Sequence, residues 1–426
     1  MPSRCEIEMP KTGDVMTVGA ALRLAIQEAK KGAGFVSPNP LVGCTILDSR
    51  FRFLSVGYHQ RVGEAHAEIN AIKNLSSESS LKGAHLFVTL EPCAHSGRTP
   101  SCAKTLAENV NRPATVTYAV SDPNPIAGGG TAILMAAGIK TAKFSDCDSV
   151  DLGERLEVTA LAEDLAEIFL HNVRTSEPFV SVKVAASIDG CMALSNGESK
   201  WITGASAREH THFLRAHYDA ILIGRNTFVA DDPQLNVRHE LFPNFANKVV
   251  LLDPMARTLD ALKTSQLLRV RDSKGLIVVV RRGLLPAVLA RLPEGVQLIE
   301  LESQPVGQGC GQSVGQRVGQ RVGQREDTFD AAAILKSLGS IGIRSLMIEG
   351  GAQTFGAFFS ANRVQRLHLF EAPVLIGGQH GLSWSAQFGV DRMAKRWKLS
   401  NLERRVLGDD LYTTGRVVSY NTASEV

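Results

Sequence analysis

Four residues in the first part of the chain have the types and spacing of a metal-dependent catalytic site. His66 and Glu68 form a His-x-Glu triplet, and Cys93 and Cys102 enclose a loop in the stretch LEPCAHSGRTPSC. An imidazole and two thiolates are ligands that zinc prefers, and a catalytic zinc typically has three protein ligands and one position open to water. We therefore predict that His66, Cys93 and Cys102 hold a catalytic zinc ion.

Glu68 is the candidate proton carrier of this site. Residues two apart do not share a face of a regular helix, so His66 and Glu68 are expected at the start of the helix predicted over 66–75. Cys102 also precedes a helix-like run, and the positive end of a helix favours a thiolate. Zinc nucleobase deaminases combine H-x-E with P-C-x-x-C. Here eight residues, not two, separate the cysteines.

Other interpretations of the same residues stay open at this point. A His-x-Glu triplet is common by chance on a solvated helix, and a structural zinc site would recruit a fourth ligand, for which His95 is available. Glu68 meets no structural need, which favours catalysis. A deaminase that edits nucleic acid would share the ligands but should show a basic groove or a platform of aromatic side chains.

The composition is that of an ordinary globular protein and excludes several classes. The chain has 426 residues and a net charge of +3. Hydrophobic residues make up 44% of it and aromatic residues only 6%. This balance favours neither a nucleic-acid nor a membrane partner. The longest apolar runs are too short to span a bilayer, and the first residues, MPSRCEIEMPKTGD, lack the apolar region of a signal peptide. Seven scattered cysteines then predict free thiols rather than a disulfide framework.

The pattern of apolar segments predicts two α/β domains. Helix-like and strand-like segments alternate through residues 1–150, a charged helical connection follows over 151–177, and a second α/β series occupies 178–426. Its strand candidates are FVSVKVAAS, AILIG, KVVLLD, GLIVVV, VQLIEL and SLMIEG. Residues 306–326 contain the tripeptide VGQ four times, and we expect a solvated low-complexity loop there.

Motifs in both halves, in the same order, give the chain a specific resemblance. They are PNPLVGC (38–44), HAEINAI (66–72), TLEPCAHSGRTPSC (89–102), SDPNP (121–125), KVAASIDG (183–190), GESKWIT (197–203), LRAHYDAILIG (214–224), TFVADDPQLNVR (227–238) and EGGAQTFGAF (349–358). The chain resembles the bifunctional riboflavin-biosynthesis enzymes that join a diaminohydroxyphosphoribosylaminopyrimidine deaminase to a 5-amino-6-(5-phosphoribosylamino)uracil reductase. The resemblance implies a cytidine-deaminase-like three-layer α/β domain followed by a dihydrofolate-reductase-like α/β domain.

For the first domain, the resemblance implies hydrolytic removal of the 2-amino group of a diaminopyrimidinone ribotide by a zinc-activated water. His66, Cys93 and Cys102 are then the zinc ligands, and Glu68 is the proton shuttle. Asn39 would hydrogen-bond the pyrimidine, and His95 and Arg98 would lie near the ribose phosphate. Ser101 departs from the proline usual in the family, with little effect expected.

For the second domain, the resemblance implies NADPH-dependent reduction of the ribosyl group to a ribityl chain. The GxGxxG fingerprint is absent, yet EGG at 349–351 follows a strand and opens a helix, whose N-terminus suits a phosphate. The residues that would line the NADP site are Ala186, Trp201, Thr227, Asp231, Gly351, Ala352, Gln353, Thr354, Phe355, Gly356 and Ala357. Those that would hold the substrate are Ser199, Arg215, Leu235, Arg238 and Glu349.

Lys183 and Glu349 are charged residues in or beside apolar strands, so they should either pair with each other or serve a ligand. The catalytic interpretation has Lys183 polarise or protonate the opened ribosyl group. An alternative is a deaminase whose carboxyl-terminal half only binds a nucleotide. The resemblance further implies a phosphorylated pyrimidine as substrate, a cytoplasmic location and a homo-oligomer formed through the reductase half.

Overall fold

The structure is a computed structural model that describes residues 7–97, 99–243, 245–284, 288–304 and 328–419. Arg98 and the loop predicted at 306–326 lie outside the described residues. The chain divides into two compact units, Met1–Thr175 and Ser176–Val426. None of the helices in the described ranges has the length and apolarity needed to cross a membrane.

The first unit is built on a five-stranded sheet in the order β2-β1-β3-β4-β5. The strands are β1 (Gly43–Leu47), β2 (Phe53–Tyr58), β3 (His85–Leu90), β4 (Thr115–Val120) and β5 (Lys140–Lys143). β1 is antiparallel to β2 and β3, whereas β3, β4 and β5 are parallel. The carboxyl ends of β3 and β4 therefore meet at one edge of the sheet, where loops can present side chains.

Helices cover both faces of this sheet. They are α1 (Val18–Ala29), α2 (Ala67–Lys73), α3 (Cys102–Glu108), α4 (Gly130–Ala136), α5 (Leu152–Leu165) and α6 (Glu167–Arg174). On one face, Leu22 and Leu24 of α1 pack in one cluster with Val158 of α5. On the other face, residues of α2, α3 and α4 form a second cluster that includes Ala71, Leu106 and Leu134. The three-layer α/β arrangement predicted for this domain is confirmed.

The stretch predicted as a helical connection at 151–177 contains α5 and α6. Asp151 caps α5, because its side chain accepts hydrogen bonds from the N–H groups of Gly153 and Glu154 at 2.8 and 3.2 Å. Val158 and Ala162 of α5 and Leu170 of α6 are buried in the core of the first unit. These helices are therefore a part of the first unit's packing.

The second unit contains a nine-stranded sheet in the order β11-β10-β9-β8-β14-β6-β15-β18-β17. Its strands are β6 (Phe179–Ser187), β8 (Ala220–Gly224), β9 (Lys248–Leu252), β10 (Leu276–Arg281), β11 (Gln297–Leu301), β14 (Ser345–Ile348), β15 (Arg366–Ala372), β17 (Lys398–Leu407) and β18 (Asp410–Val418). Neighbours from β11 through β15 are parallel, and the β15–β18–β17 pairs are antiparallel. Two small pairs, β7 (Cys191–Leu194) with β16 (Gly381–Ser383) and β12 (Ser303–Gln304) with β13 (Thr328–Phe329), lie outside it.

The described helices of the second unit connect the parallel strands. They are α7 (Ala205–Arg215), α8 (Arg225–Asp231), α9 (Leu259–Thr264), α10 (Gln266–Arg269), α11 (Ala331–Ser340) and α12 (Ala352–Ser360). The main core joins valines of β6 to Leu335 and Leu338 of α11 and to Phe355 and Phe358 of α12. Since the central strands are parallel, β6, β8 and β14 end at the same edge, which is where ligands bind in open α/β sheets.

Every strand predicted in the second half is present, but three further strands of the large sheet were not predicted. β15, β17 and β18 follow the last predicted strand along the chain. β17 consists of half-exposed and exposed residues and contains charged side chains, so its sequence lacks the continuous apolar run of β10. A strand with one solvated face gives a weaker signal than a strand buried on both faces.

Candidate active sites

The three predicted zinc ligands come together at the edge where β3 ends. His66 is the extended residue that precedes α2, Cys93 lies in the loop after β3, and Cys102 is the first residue of α3. One ligand atom from each lies within 4.8 Å of the other two. Two helix N-termini and one strand end thus bring together residues that are far apart in sequence.

The distances among these atoms fit a tetrahedral zinc ion. His66 Nδ1 lies 3.6 Å from Cys93 Sγ and 3.4 Å from Cys102 Sγ. Zn–N bonds of about 2.0–2.1 Å and Zn–S bonds of about 2.3 Å at tetrahedral angles place nitrogen and sulfur about 3.5 Å apart. The metal-binding group found among the described residues has these three members and does not include the exposed His95. This arrangement favours a three-ligand site over a closed structural one.

Glu68 lies beside the ligands and is almost fully buried, with 3% of its surface exposed. Its Oε2 accepts a hydrogen bond from Cys102 Sγ at 3.3 Å. Burial, and then the neighbouring Cys93, raise the pKa of the Glu68 carboxyl. A carboxyl group with a raised pKa in contact with the ligand set is suited to accept and release a proton.

The two thiols have opposite proton affinities. Hydrogen bonds from Cys102 and His66 lower the pKa of Cys93 to about 4, although burial opposes the shift. The pKa of Cys102 is raised by the hydrogen bond between its thiol and Cys93, by burial and by the neighbouring Glu68. The Cys102 backbone N–H, at the start of α3, also donates to Cys93 Sγ at 3.4 Å. The site therefore already favours a thiolate at Cys93, which is the form that binds metal.

Two hydroxyl groups fix the geometry of the ligands and were not predicted. Thr99 Oγ1 lies 3.2 Å from His66 Nε2, so the other ring nitrogen is directed to the thiols. Ser101 caps α3 by accepting from the Lys104 N–H, and its hydroxyl donates to the Cys93 carbonyl at 2.7 Å. Ser101 thus connects the loop of one cysteine to the helix of the other. A serine before a helix is a recognisable cap signal, whereas the Thr99 contact has no sequence signal.

Asn39 is held by a buried histidine that the sequence did not single out. Its Nδ2 lies 3.1 Å from His59 Nε2, while His59 Nδ1 lies 3.1 Å from the Ala65 carbonyl. Because a carbonyl only accepts, Nδ1 carries the proton and Nε2 accepts from Asn39. Burial lowers the pKa of His59, which favours this neutral ring. Asn39 Oδ1 and the second hydrogen of Asn39 Nδ2 are then left for a ligand.

In the second unit, the predicted substrate residues Arg215 and Glu349 are bonded to each other. Arg215 Nε and Nη2 donate to the two carboxylate oxygens of Glu349 at 2.6 and 2.8 Å. The two side chains are only 13% and 5% exposed. The Arg215 guanidinium holds the pKa of Glu349 below its usual range despite burial. Glu349 follows β14 directly, so this pair lies at the carboxyl edge of the central strands.

Lys183, on the neighbouring strand β6, does not form the ion pair with Glu349. Its Nζ lies 5.5 Å from the centre of the Phe370 ring. Desolvation lowers the pKa of its ammonium group, Arg215 adds to this effect, and Glu349 opposes it. An ammonium group with a lowered pKa gives up its proton more readily, which is the property required of a proton donor.

The predicted NADP residues around 351–357 form the start of α12, in close contact with α8. Gly351 has a φ of 83°, and a side chain on Gly350 would come within 2.7 Å of Thr227. A side chain on Gly224 would come within 2.8 Å of Thr354. Only glycine leaves room for these two threonine side chains so close to the backbone. Ala352, Gln353, Thr354, Phe355, Gly356 and Ala357 follow in the first turns of the helix.

The remaining predicted residues lie around the same edge of the sheet. Ser199 donates a hydrogen bond to Asp231 Oδ1 at 3.1 Å. Trp201 is exposed, and the Arg208 guanidinium lies over its ring, 4.5 Å from the ring centre. Ala186 is buried near the end of β6. Leu235 and Arg238 lie in the segment after α8, where Arg238 contacts His212 Nε2 at 3.2 Å.

Both halves of the chain match known protein families. Residues 17–119 match the cytidine and deoxycytidylate deaminase zinc-binding region, and residues 178–411 match the RibD C-terminal domain. The riboflavin biosynthesis protein RibD of Actinobacillus pleuropneumoniae is 33% identical over 404 residues, which cover 93% of this chain and 95% of that protein. RibD of Escherichia coli K12 is 32% identical over 390 residues, 91% and 96% of the two chains.

Solved structures show the same similarity. RibD of Acinetobacter baumannii has a TM-score of 0.70 at 30% identity and covers 94% of this chain and 98% of its own. A diaminohydroxyphosphoribosylaminopyrimidine deaminase/5-amino-6-(5-phosphoribosylamino)uracil reductase of Thermotoga maritima has a TM-score of 0.72 at 27% identity, with coverages of 94% and 99%.

These findings define a bifunctional enzyme in which a zinc-dependent deaminase is joined to an NADPH-dependent reductase of dihydrofolate-reductase-like fold. The chain belongs to the RibD family of riboflavin biosynthesis. The predicted family, fold class, activities and cofactors are thereby confirmed. The alternative of a non-catalytic carboxyl-terminal half is not favoured, because the similarity to RibD extends over both halves.

Proposed function

We propose that His66, Cys93 and Cys102 hold the zinc ion of the deaminase and that Glu68 is its proton carrier. The observation that carries this proposal is a buried carboxylate, not itself a ligand, in contact with a three-ligand cluster of zinc-like dimensions. When bound, zinc acidifies water and so supplies a nucleophile at neutral pH.

In the deaminase, Asn39 Oδ1 accepts a hydrogen bond from the pyrimidine and orients it toward the cluster. Glu68 takes a proton from the attacking water and passes it to the 2-amino nitrogen. A carbon–oxygen bond forms, the carbon–nitrogen bond breaks, and ammonia leaves. His95 is exposed on the loop between Cys93 and Cys102, where it would meet the ribose phosphate together with Arg98.

When bound, NADPH would supply the hydride chemistry that reduces C1 of the opened ribosyl group. Lys183 polarises this group and delivers the proton that completes its reduction to a ribityl chain. Glu349 and Arg215 orient the substrate beside Lys183, and Ser199, Leu235 and Arg238 complete its contacts. The close approach of Gly350 and Gly351 to Thr227 supports a cofactor site at the start of α12, together with Ala186, Trp201 and Asp231.

The substrate of both steps is a phosphorylated pyrimidine, and a cytoplasmic location would match that chemistry. We propose further that a second copy of the chain pairs with the second unit. β17 is an edge strand of the large sheet, and its Leu402 and Val406 are 49% and 74% exposed. An edge with apolar side chains favours association. Light scattering after size-exclusion chromatography tests this: a monomeric mass would contradict it.

A coupled assay tests the roles of the residues. The purified enzyme is given the diaminopyrimidinone ribotide with and without NADPH, and ammonia and nicotinamide absorbance are followed. In Glu68→Gln, ammonia release should fall about 10²- to 10⁴-fold, the contribution typical of a general acid–base group. The zinc content and the reduction of the uracil ribotide should not change. The matched control is Glu64→Gln at an exposed glutamate, and a Glu68→Gln enzyme as active as this control would refute the assignment.

A further inference from the structure

The segment 232–238, which carries Leu235 and Arg238, has a strained backbone. Asp232 and Leu235 have φ values of 37° and 48°, a left-handed conformation that aspartate tolerates but that is unfavourable for leucine. Leu235 is nevertheless buried. Such a conformation persists only when surrounding contacts hold it.

Side chains from two sides hold this segment. On one side, His212 Nδ1 and Arg215 Nη1 lie 2.9 and 3.0 Å from the Asn236 carbonyl. On the other side, Arg271 Nη2 donates to the Gln234 carbonyl at 2.6 Å. Arg271 and Arg215 therefore fix carbonyl groups only two residues apart, on either side of Leu235.

Gln234 also connects a third arginine, Arg238, to the same segment. Its Oε1 accepts a hydrogen bond from Arg238 Nη1, and its Nε2 donates to Gln266 Oε1 at 2.9 Å. Three guanidinium groups, those of Arg215, Arg238 and Arg271, thus contact the stretch from Gln234 to Asn236.

Arg271 is a desolvated cation that forms no ion pair with any residue that the structure describes. Its Nε and Nη1 are buried and have no hydrogen-bond partner among the described residues. Burial, and then the charge of Arg215, lower the pKa of Arg271 to about 10. Glu349 is already bonded to Arg215, and Asp232 of the same segment accepts from the Gln266 N–H at 3.0 Å. A buried charge of this kind is costly unless an anion offsets it, and a bound phosphate would supply that anion.

We propose that Arg271 is a positioning residue for the phosphate group of the reductase substrate. It fixes the Gln234 carbonyl, and with it the segment that carries Arg238, and it adds a third positive charge to those of Arg215 and Arg238. This inference rests on the proposed assignment of Arg215 and Arg238 to the substrate.

The test uses the full-length enzyme and inorganic phosphate as a competitive inhibitor of NADPH oxidation. In Arg271→Met, the KM for the uracil ribotide and the Ki of phosphate should both rise about tenfold, as expected for the loss of one charge-assisted interaction. The KM for NADPH should stay unchanged, which shows that the second unit is still folded, and ammonia release by the first unit should stay unchanged as well. Arg269→Met, at an exposed arginine two residues earlier, is the matched control.

Arg271→Lys separates the charge from a merely structural role, since it keeps the charge and loses the planar guanidinium. A Ki between those of the wild type and Arg271→Met supports the proposal. A Ki as high as that of Arg271→Met overturns it, and so does an unchanged Ki in Arg271→Met.

Arg215→Gln distinguishes a failure of the role proposed for Arg271 from a failure of the proposed function. A raised Ki in Arg215→Gln with an unchanged Ki in Arg271→Met overturns the role of Arg271 alone. An unchanged Ki in both variants overturns the assignment of this region to the substrate phosphate as well.

Discussion

Arg215 and Glu349 form a two-point ion pair at the carboxyl edge of the large sheet, with bonds of 2.6 and 2.8 Å. Arg215 is the last residue of α7, and Glu349 follows the central strand β14. Among the described residues, no carboxylate is bonded to Lys183. Burial lowers the pKa of its ammonium group, and the two charges of the pair act on it in opposite directions.

We expect Glu349→Gln to destabilise the second unit and to impair the reductase only. Removing one member of a buried ion pair leaves the other charge uncompensated, which costs about 3–5 kcal/mol of unfolding free energy. The misplaced Arg215 should lower kcat/KM about 10²-fold. Urea unfolding is followed by tryptophan fluorescence, because Trp201, Trp384 and Trp397, the three tryptophans of the chain, belong to the second unit.

Glu302→Gln is the matched control for that experiment. The Arg282–Glu302 pair has a similar distance of 2.8 Å but is 64% and 73% exposed. Exposed pairs contribute about 0–1 kcal/mol. Equal losses of stability in the two variants would contradict the argument that burial makes the Glu349 pair important.

Lys183→Met should abolish the reductase and at the same time raise the stability of the second unit. The folded-state pKa of Lys183 is below that of the unfolded chain, so the unfolded state binds the proton more tightly. The unfolding free energy should therefore increase as the pH rises through the lowered pKa toward 10.5, and at neutral pH the charge is unfavourable. Tryptophan-monitored unfolding at pH 7 and pH 10 checks this sign.

The same substitution at an exposed lysine of α11, Lys336→Met, serves as the control and should change neither stability nor activity. Loss of NADPH oxidation together with lower stability in Lys183→Met would indicate a structural lysine. Retained oxidation would eliminate Lys183 as the proton donor.

Much of the fold was predictable because apolar runs mark strands that are buried on both faces. β10, read from LIVVVR, is an example, with its first five residues buried. β17 was not predictable, since KLSNLERRVL pairs only with β18 among the described strands, exposes half of its residues and has none that is fully buried. Its strand conformation comes from the partner strand rather than from its own residues.

The cluster of His66, Cys93 and Cys102 was predictable because metal chemistry restricts the residue types, but the residues that support it were not. The contacts of Thr99 with His66 and of His59 with Asn39 form only when helices and loops pack together in the folded chain. The partner of Glu349 shows the same limit. The sequence suggested Lys183 or a ligand, whereas the packing of α7 beside β14 supplies Arg215. A charge in an apolar strand predicts that a partner exists without identifying it.

Removal of zinc should stop the deaminase without affecting the reductase. After treatment with a chelator, the enzyme should release no ammonia from the diaminopyrimidinone ribotide but still oxidise NADPH with the uracil ribotide, and added zinc should restore ammonia release. Cys102→Ser should reproduce the loss, because the three-ligand cluster needs this thiolate. Metal analysis should show about one zinc per wild-type chain.

Cys147→Ser is the control, because Cys147 is a half-buried free cysteine of the same unit outside the cluster. Full deaminase activity in Cys102→Ser would contradict the ligand assignment. A parallel loss of reductase activity on chelation would show that the metal acts on both halves.

Acid should destabilise the second unit through His210. Its Nε2 is buried and has no hydrogen-bond partner in the part of the chain that the structure describes. The ring centres of Phe213, Phe370 and Tyr412 lie 5.6, 6.0 and 4.7 Å from that of His210. Burial, and then Arg405, His217 and His239, lower the pKa of His210 to about 4. The unfolded state therefore binds the proton first, and the stability that the neutral ring provides above pH 6.5 is lost as the pH falls toward 4.

Between pH 7 and pH 4, the wild-type protein loses unfolding free energy. We expect this loss to be smaller in His210→Phe, by roughly 2–3 kcal/mol. His212 and His368 also have lowered pKa values, so part of the acid sensitivity should persist. Urea titrations followed by tryptophan fluorescence at several pH values measure the difference. His380→Phe, at an exposed histidine of the same unit, should leave the pH dependence unchanged. A pH dependence of His210→Phe equal to that of the wild type would show that His210 does not carry this effect.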